Sequence, residues 1–348
     1  MINPFVKKKR NAYIGWNIGI YFLIEGFVYM LVIALIATLA GPRYSDAFFY
    51  LGYFICNTLA AFAYFGIHSM LNSSSKKAGH PDAIIPLAYV VIVKAICFIV
   101  FSIFYTPVIT LSLELLNNGS TEASQHALFS AAFSIASSVI STIAIIVVSI
   151  FLFKSDDNRN NAIKEKVMTA KSVGEDVKHN TSLFSANRNI IQSVFVVGFI
   201  LFNVLNYIVS EFCDSSLAAI LKIPLTVVFV GIVAAVVIVI NNVSKKNKQP
   251  EAALPTAVFL IPFGSSLISN PVSNLYTFIA RISELTKHHS SNLYDDYSFT
   301  PAFISKTSSI NGVITFVVAI VFIAVFTILV FKHEDKRMQT LFESGYFE

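Results

Sequence analysis

Long apolar runs, separated by short polar connections, organise the whole chain. About 20 apolar residues in a helix cross the hydrocarbon core of a bilayer, whereas strands of membrane β-barrels alternate in polarity and are about 9–11 residues long. The pattern therefore predicts an all-α, polytopic membrane protein that forms a single integral membrane domain. Eight transmembrane helices are predicted, at residues 13–40, 47–71, 83–106, 127–153, 189–209, 217–241, 254–280 and 309–331.

Proline and glycine interrupt the seventh predicted span. Pro255, Pro262 and Pro271 each remove a backbone donor, and Gly264 lies among them. Broken helices at membrane depth are tolerated where they line a cavity or are buried in protein, and transporters use them as binding sites. A kinked or broken seventh span is expected, in which unwound backbone of residues 265–274 supplies ligands. A kinked packing helix is the alternative.

Lysine and arginine are concentrated in alternate connections. About 19 of the 25 lie on the side that holds the N-terminus, and about 4 lie on the other side. The positive-inside rule then predicts that both termini are cytoplasmic and that the protein is multi-pass, in the cell membrane. The longest connection, 154–188, becomes a cytoplasmic loop, and 281–308 becomes the largest outer loop.

Composition narrows the class further. Hydrophobic residues make up 55% of the chain and charged residues 13%, about half the charged fraction of soluble domains. This excludes a soluble enzyme, a nucleic-acid binder and a disordered protein. No nucleotide-binding or hydrolase motif occurs, so no enzymatic activity and no cofactor are predicted. His288, His289, Asp295 and Asp296 are of metal-ligand type, but their spacing matches no metal-site pattern, so no metal is predicted.

Two charged residues within the spans stand out. Glu25 and Lys94 lie about 18 Å and 16 Å from the cytoplasmic ends of their spans, so they are at similar depth. Intramembrane charges are costly and usually functional. Tyr21 lies one turn from Glu25 on the same face. The residues predict a substrate or proton site near the bilayer midplane, or alternatively an ion pair that fixes helix packing.

Polar stripes mark two other spans. Gln192, Asn203 and Asn206 share a face of the fifth span, where they either line a cavity or hydrogen-bond to other helices. Serine and threonine recur every four residues in the fourth span, and Gly15 and Gly19 are spaced alike in the first. Small residues at this spacing favour close helix packing.

The long cytoplasmic connection contains an amphipathic pattern. Ile163, Val167, Ala170 and Val177 recur at helical spacing, which predicts a short helix with Asn160 or Asn161 as a possible N-cap. Such a helix either lies on the protein's own cytoplasmic face or docks a cytoplasmic partner.

Together these features favour a membrane transport protein, either a secondary carrier or the membrane subunit of a multi-component transporter. A structural or assembly subunit without a translocation path is the alternative. Two groups of four spans would give parallel repeats, but no residue-level match between the halves stands out and this arrangement is left open. The predicted partner is the lipid bilayer. The candidate site comprises Glu25, Lys94, Tyr21, Asn203, Asn206, Ser265, Ser266, Asn270 and Asn274.

Overall fold

The computed structural model describes residues 3–117, 123–173, 181–287 and 299–347, and within these ranges it is helical without β-strands. Eight helical stretches are long and apolar enough to cross a membrane, which confirms the predicted all-α, multi-pass class. Two π-helical turns, Leu23–Val28 and Phe101–Tyr105, join α1 to α2 and α3 to α4. The helices are α1 (Pro4–Phe22), α2 (Tyr29–Lys77), α3 (Ile92–Val100), α4 (Thr106–Asn117), α5 (Ala123–Ser172), α6 (Thr181–Phe212), α7 (Ser215–Lys246), α8 (Ser266–Lys287) and α9 (Pro301–Glu343).

Several helices continue well beyond the predicted spans. Helix α5 runs without interruption to Ser172, so the amphipathic segment extends the fourth span and no new helix begins at Asn160 or Asn161. Helix α9 likewise continues past Phe331 to Glu343. Polar residues at the ends of a membrane span can keep the helical hydrogen-bond ladder when another segment of the chain covers one face. The apolar pattern therefore predicted the spans but underestimated the lengths of the helices that contain them.

The third and seventh spans both begin with irregular backbone. The third has 3-10 turns at Pro81–Ala83 and Leu87–Val91 before α3, and the seventh has them at Pro250–Ala252, Thr256–Leu260 and Pro262–Gly264 before α8. Proline restricts the residue before it to extended conformations, which prevents a regular helix here. The predicted break in the seventh span is confirmed around Pro255, Pro262 and Gly264, whereas the unwound backbone expected at residues 265–274 is wrong. Residues 266–274 are helical, and Pro271 lies inside α8.

These two broken spans are also the buried ones. In their most apolar windows 72% and 78% of residues are buried inside the protein, against 6–28% in the other six. Irregular backbone at membrane depth needs such cover because lipid offers no hydrogen-bond partners.

The chain divides into two compact units. The first comprises Met1–Arg10, Asn72–Gly264 and Ile323–Glu348, and contains both irregular segments with α3 to α7. The second comprises Asn11–Leu71 and Ser265–Phe322, and contains the hairpin of the first two spans with α8 and the first half of α9. Gly52 and Ile33 both lie in α2, yet a Cβ at Gly52 would lie 3.0 Å from Ile33 Cδ1. In a straight helix these residues would be about 28 Å apart, so the chain reverses direction between them.

Candidate functional site

The segments that follow the second and sixth spans share one sequence pattern. Both read Asn-x-x-Ser-Lys-Lys-x-x-x-Pro-acid-Ala-x-x-Pro-x-Ala. The first begins at Asn72 and ends at Ala88, and the second begins at Asn241 and ends at Ala257. The pattern lies in polar connections, and it is a residue-level match between the halves that the sequence analysis did not identify.

The two segments also share their backbone geometry. Asn72 Nδ2 donates to Ile85 O at 3.0 Å and its Oδ1 accepts from Ile85 N at 2.9 Å, while Asn241 makes the same pair with Leu254 at 3.1 and 2.7 Å. A left-handed residue follows each preceding helix, Gly79 at φ 69° and Lys248 at φ 57°. Each carboxamide thus satisfies the amide and carbonyl of the extended residue before a proline.

A second pattern follows the fourth and eighth spans. Phe153-Lys-x-Asp-Asp-x-Arg159 recurs as Phe331-Lys-x-Glu-Asp-x-Arg337, and Arg10-Asn recurs as Arg188-Asn at the start of the first and fifth spans. The chain therefore contains two tandem copies of four spans, the first copy before the 174–180 connection and the second after it. Four is an even number, so the two copies would cross a bilayer in the same direction, as parallel repeats.

Four buried charges from the two copies form reciprocal ion pairs in the first unit. Arg337 Nη2 lies 2.7 Å from Asp156 Oδ2, and Arg159 Nη1 lies 2.5 Å from Glu334 Oε1. Each arginine of one copy thus binds the acid of the other, with side chains at most 5% exposed. Such reciprocity is the rule for contacts across a twofold axis. We call Asp156, Arg159, Glu334 and Arg337 the charge cluster.

The two halves of the charge cluster differ in one respect. Arg337 Nε donates to Ile84 O at 2.9 Å, at the start of the third span. Nε and Nη2 of Arg159 have no hydrogen-bond partner among the described residues. The cluster therefore holds the broken third span more firmly than the seventh.

Neighbouring ion pairs extend the charge cluster. Arg10 binds Asp157 through two hydrogen bonds of 2.6 and 2.7 Å, which is the bidentate geometry preferred by arginine and carboxylate. Lys166 donates to Glu251 at 2.6 Å and so ties α5 to the start of the seventh span. These pairs connect the start of α1, the extensions of α5 and α9, and both broken spans.

The two broken spans meet within the first unit. The turn Leu87–Val91 contacts its counterpart Thr256–Leu260, and α3 contacts Pro262–Gly264. A Cβ at Gly264 would lie only 2.4 Å from Val91 Cβ, so this approach requires glycine. Equivalent elements of the two copies thus lie side by side.

The face considered for partner docking is covered by the chain's own C-terminal segment. Ile163 and Val167 are buried against Met338, Leu341 and Phe347. Ala170 is partly buried, and Val177 lies outside the described residues. Burial raises the pKa of the neighbouring Tyr346 phenol, and the charges of Asp82 and Asp157 raise it further. This packing corresponds to the first of the two alternatives, in which the amphipathic segment lies against the protein itself.

The candidate polar residues of the sequence analysis divide between the units. Lys94 is buried in α3 of the first unit. Asn203 and Asn206 belong to the same unit but lie in α6, and each donates a hydrogen bond to a carbonyl of α6 itself. Gln192 reaches Ala324 O on α9 at 3.3 Å and so acts between helices. The second unit holds Tyr21, Glu25, Ser265, Ser266, Asn270 and Asn274. A pair between Glu25 and Lys94 stays a prediction.

Glu25 lies in the π-helical turn between α1 and α2, within the second unit. Tyr64 Oη donates to Glu25 Oε1 at 2.7 Å. The tyrosine comes from the second span, and the sequence analysis did not identify it. Its signal was the spacing of Tyr64 and His68, one helical turn apart and both buried.

Further polar contacts join the first two spans on either side of Glu25. Towards one end the rings of Tyr13 and His68 are 6.3 Å apart, and towards the other those of Tyr29 and Tyr53 are 4.8 Å apart. We call the polar side chains along this hairpin the polar seam. Its members are Tyr13, Asn17, Glu25, Tyr29, Asp46, Tyr50, Tyr53, Tyr64 and His68.

Other expected features are absent from the described residues or lie outside them. A Cβ at Gly15 or Gly19 would meet open space, so the close packing expected of these glycines is wrong. The ranges that the structure describes hold no group of three metal-ligating side chains, and the histidines and aspartates of 288–298 lie outside them. Comparison with protein-family models, curated proteins and solved structures finds no match to the chain.

Proposed function

We propose that the chain is a membrane transport protein, either a secondary carrier or the membrane subunit of a multi-component transporter. The observation that supports it is the pair of equivalent broken spans, one from each copy, which contact each other in the first unit. Transporters built from repeats place their substrate sites at the repeat interface, next to discontinuous helices.

Energetics favours a functional reason for the two breaks. A backbone group without a hydrogen-bond partner in a bilayer costs several kcal/mol, so continuous helices are the cheaper way to span it. Here Asn72 and Asn241 are both needed to satisfy irregular backbone. Retaining the same irregularity in both copies is easier to explain by a translocation path than by packing.

We propose that Glu25 and Lys94, the two charged residues within the spans singled out by the sequence analysis, both serve transport. Charged side chains within spans generally mark substrate or ion pathways. The remaining lining residues are those of the sequence analysis: Tyr21, Asn203, Asn206, Ser265, Ser266, Asn270 and Asn274. The serine and asparagine residues of α8 would contribute side chains, since their backbone is helical.

Transport driven by ATP would require a separate subunit, because the sequence contains no nucleotide-binding motif. A cytoplasmic partner would bind the outer face of the α5 extension, where Met168 and Lys171 are exposed. We propose no enzymatic activity and no cofactor for this chain.

We further propose that both termini are cytoplasmic in a cell-membrane protein. Cys213 lies between α6 and α7, and this orientation places it outside. A membrane-impermeant maleimide should label Cys213 in intact cells. With Cys213→Ser in the background, Lys248→Cys should react only after permeabilisation, and the opposite pattern would reverse the orientation.

The transport proposal can be tested before the substrate is known. Proteoliposomes of the full chain would be incubated with a mixture of sugars, amino acids, nucleosides and organic acids, and their contents measured by mass spectrometry. At least one solute should enter with wild type, while Glu25→Leu and Lys94→Leu should abolish entry. Lys222→Leu is the matched control, because Lys222 lies near the end of its span and should reach the interface. Entry that survives both substitutions would refute the central site.

A structural or assembly subunit is the second candidate. The reciprocal ion pairs and the Glu25–Tyr64 hydrogen bond favour it, since polar contacts between helices also serve as static links. Purification from native membranes discriminates the two. A stable complex that fails to assemble without this chain, together with no solute entry, would support the structural role.

A further inference from the structure

The polar seam runs the length of a membrane span. From Asp46 to His68 the second span rises about 33 Å, close to the thickness of the hydrocarbon core of about 30 Å. Every member of the seam carries a hydroxyl, carboxyl, amide or imidazole group. All of them belong to the second unit.

Consecutive members of the seam are neighbours in the half that runs from Tyr13 to Glu25. The Tyr13 ring contacts His68, and His68 lies one helical turn from Tyr64. Tyr64 then donates its hydrogen bond to Glu25. Asn17 is also buried and lies one helical turn from Tyr13 on the same face.

The other half continues from Glu25 in the same way. Tyr29 lies one turn beyond Glu25 and contacts Tyr53, and the Tyr53 and Tyr50 rings are 6.2 Å apart. The Arg281 guanidinium lies 4.6 Å from the centre of the Tyr50 ring and forms an ion pair with Asp46. The seam thus ends in charged groups at the far end of the hairpin.

The second copy provides an internal control for what packing requires. Counting from the matched Arg10 and Arg188, the buried pair Tyr13 and Asn17 corresponds to Ile191 and Phe195, which are equally buried. The same helix positions therefore pack with apolar side chains.

The second span gives the same result. Counting from the matched Asn72 and Asn241, Tyr64 and His68 correspond to Val233 and Val237, all of them buried. Glu25 itself corresponds to Asn203, which bonds to its own helix. Burying polar groups in lipid carries a desolvation cost. The second copy packs apolar residues at the same positions, so packing alone does not explain why the first copy has polar ones.

Glu25 has a second distinguishing feature, its π-helical turn. Such turns are rare and occur frequently at functional sites. The titratable groups close to it in its unit include Tyr64 on the second span and Tyr21 and Tyr29, each one turn away on its own helix. Carboxylate, histidine and hydroxyl side chains in series are the components of intramembrane proton relays.

We propose that the polar seam is a proton pathway in which Glu25 is the group that takes up and releases the proton. This rests on the proposed transport function and makes the proton its coupling ion. The Glu25 carboxylate accepts the Tyr64 hydroxyl proton while Tyr64 receives one from the side of His68, with water bridging the gap of one turn. Glu25 then passes its proton to the Tyr29 hydroxyl while that hydroxyl gives its own proton towards Tyr53, so both tyrosines stay neutral. One proton enters as one leaves, and no electrons move.

Proton movement can be measured in proteoliposomes that contain a pH-sensitive dye, under an imposed membrane potential, with and without the solute mixture. Wild type should acidify the interior faster than empty liposomes in at least one of these conditions. Glu25→Gln should reduce the rate to that of empty liposomes, and Tyr64→Phe and His68→Gln should reduce it at least several-fold. Glu25→Asp should retain part of it.

Tyr207→Phe is the matched control. Tyr207 occupies the position of Tyr29 in the second copy and is 67% exposed, so its hydroxyl joins no seam and its loss should leave the rate unchanged. Infrared spectra supply a readout independent of transport. A protonated-carboxyl band that appears on acidification should vanish in Glu25→Gln and shift in Tyr64→Phe, which keeps the ring and so the packing.

The outcomes separate the two proposals. Solute entry without proton movement dependent on Glu25 would overturn the proton pathway and leave transport intact. Proton movement without solute entry would support the pathway and contradict the carrier. A rate that depends on sodium instead of pH would assign Glu25 to sodium and overturn the proton assignment.

Discussion

Replacing Arg337 by methionine removes a side chain that is fully enclosed by its partners. Arg337 donates to Ile84 O, to both oxygens of Asp156 and to Glu334. Without it, Glu334 still has Arg159 at 2.5 Å, but among the residues that the structure describes the ion pair left to Asp156 is Arg159 at 3.8 Å. A buried carboxylate is thus left almost unpaired, which destabilises a protein by about 3–5 kcal/mol.

The reciprocal substitution should be milder. Arg159→Met removes the 2.5 Å bond to Glu334, yet Glu334 and Asp156 both keep Arg337. We expect a loss of about 1–3 kcal/mol. Adding Asp156→Asn to Arg337→Met removes the stranded charge, so the double variant should recover about 1–3 kcal/mol.

Equilibrium unfolding in mixed micelles, followed by circular dichroism, measures these free energies. Wild type and the three variants would be compared in the same detergent. Equal losses of unfolding free energy in Arg337→Met and Arg159→Met would contradict the inference that Asp156 depends on Arg337 more than Glu334 depends on Arg159. A loss below about 1 kcal/mol for Arg337→Met is the value of an exposed pair and would refute the buried cluster.

Three further changes test the packing. Gly264→Ala places a Cβ against Val91 and should cost about 3 kcal/mol or more in thermal unfolding, whereas Gly231→Ala, with open space around it, should not destabilise. Asn72→Leu and Asn241→Leu each strand one amide and one carbonyl, so each should cost about 2–4 kcal/mol, and a large difference between them would contradict their equivalence. Truncation after Arg337 uncovers the apolar face of the α5 extension and should accelerate its cleavage by trypsin, whereas unchanged cleavage would argue against that packing.

The spans were predictable because the bilayer imposes length and apolarity on each helix independently of the others. The ends of the helices were not predictable. Helices α5 and α9 extend into polar sequence because Ile163 and Val167 pack against Leu341, and only the fold brings these residues together. Pro255 and Pro262 correctly predicted where the seventh span breaks, whereas Pro271 did not mark a further break. A single Pro271 inside a helix is tolerated, whereas three prolines between residues 250 and 262 are not.

The repeat was recognisable in the sequence, but in its polar connections. Apolar residues in lipid replace one another freely, so two copies of a span lose their resemblance first. Asn72 and Asn241 keep theirs because each must satisfy two backbone groups. The Tyr21–Glu25 face was likewise visible, but its partner Tyr64 depends on the rotation of the second span, which helical spacing alone does not give.

Reciprocal pairing of Arg159 and Arg337 has a further consequence for divergence of the two copies. A homodimer would place any change in both subunits, so a polar seam in one would appear in the other. Fusion of the copies in one chain fixes a one-to-one assembly and lets each copy change separately. This pair of equivalent positions accordingly carries one carboxylate, Glu25 in the first copy, where the second copy has Asn203. Any process that uses it has a stoichiometry of one per chain.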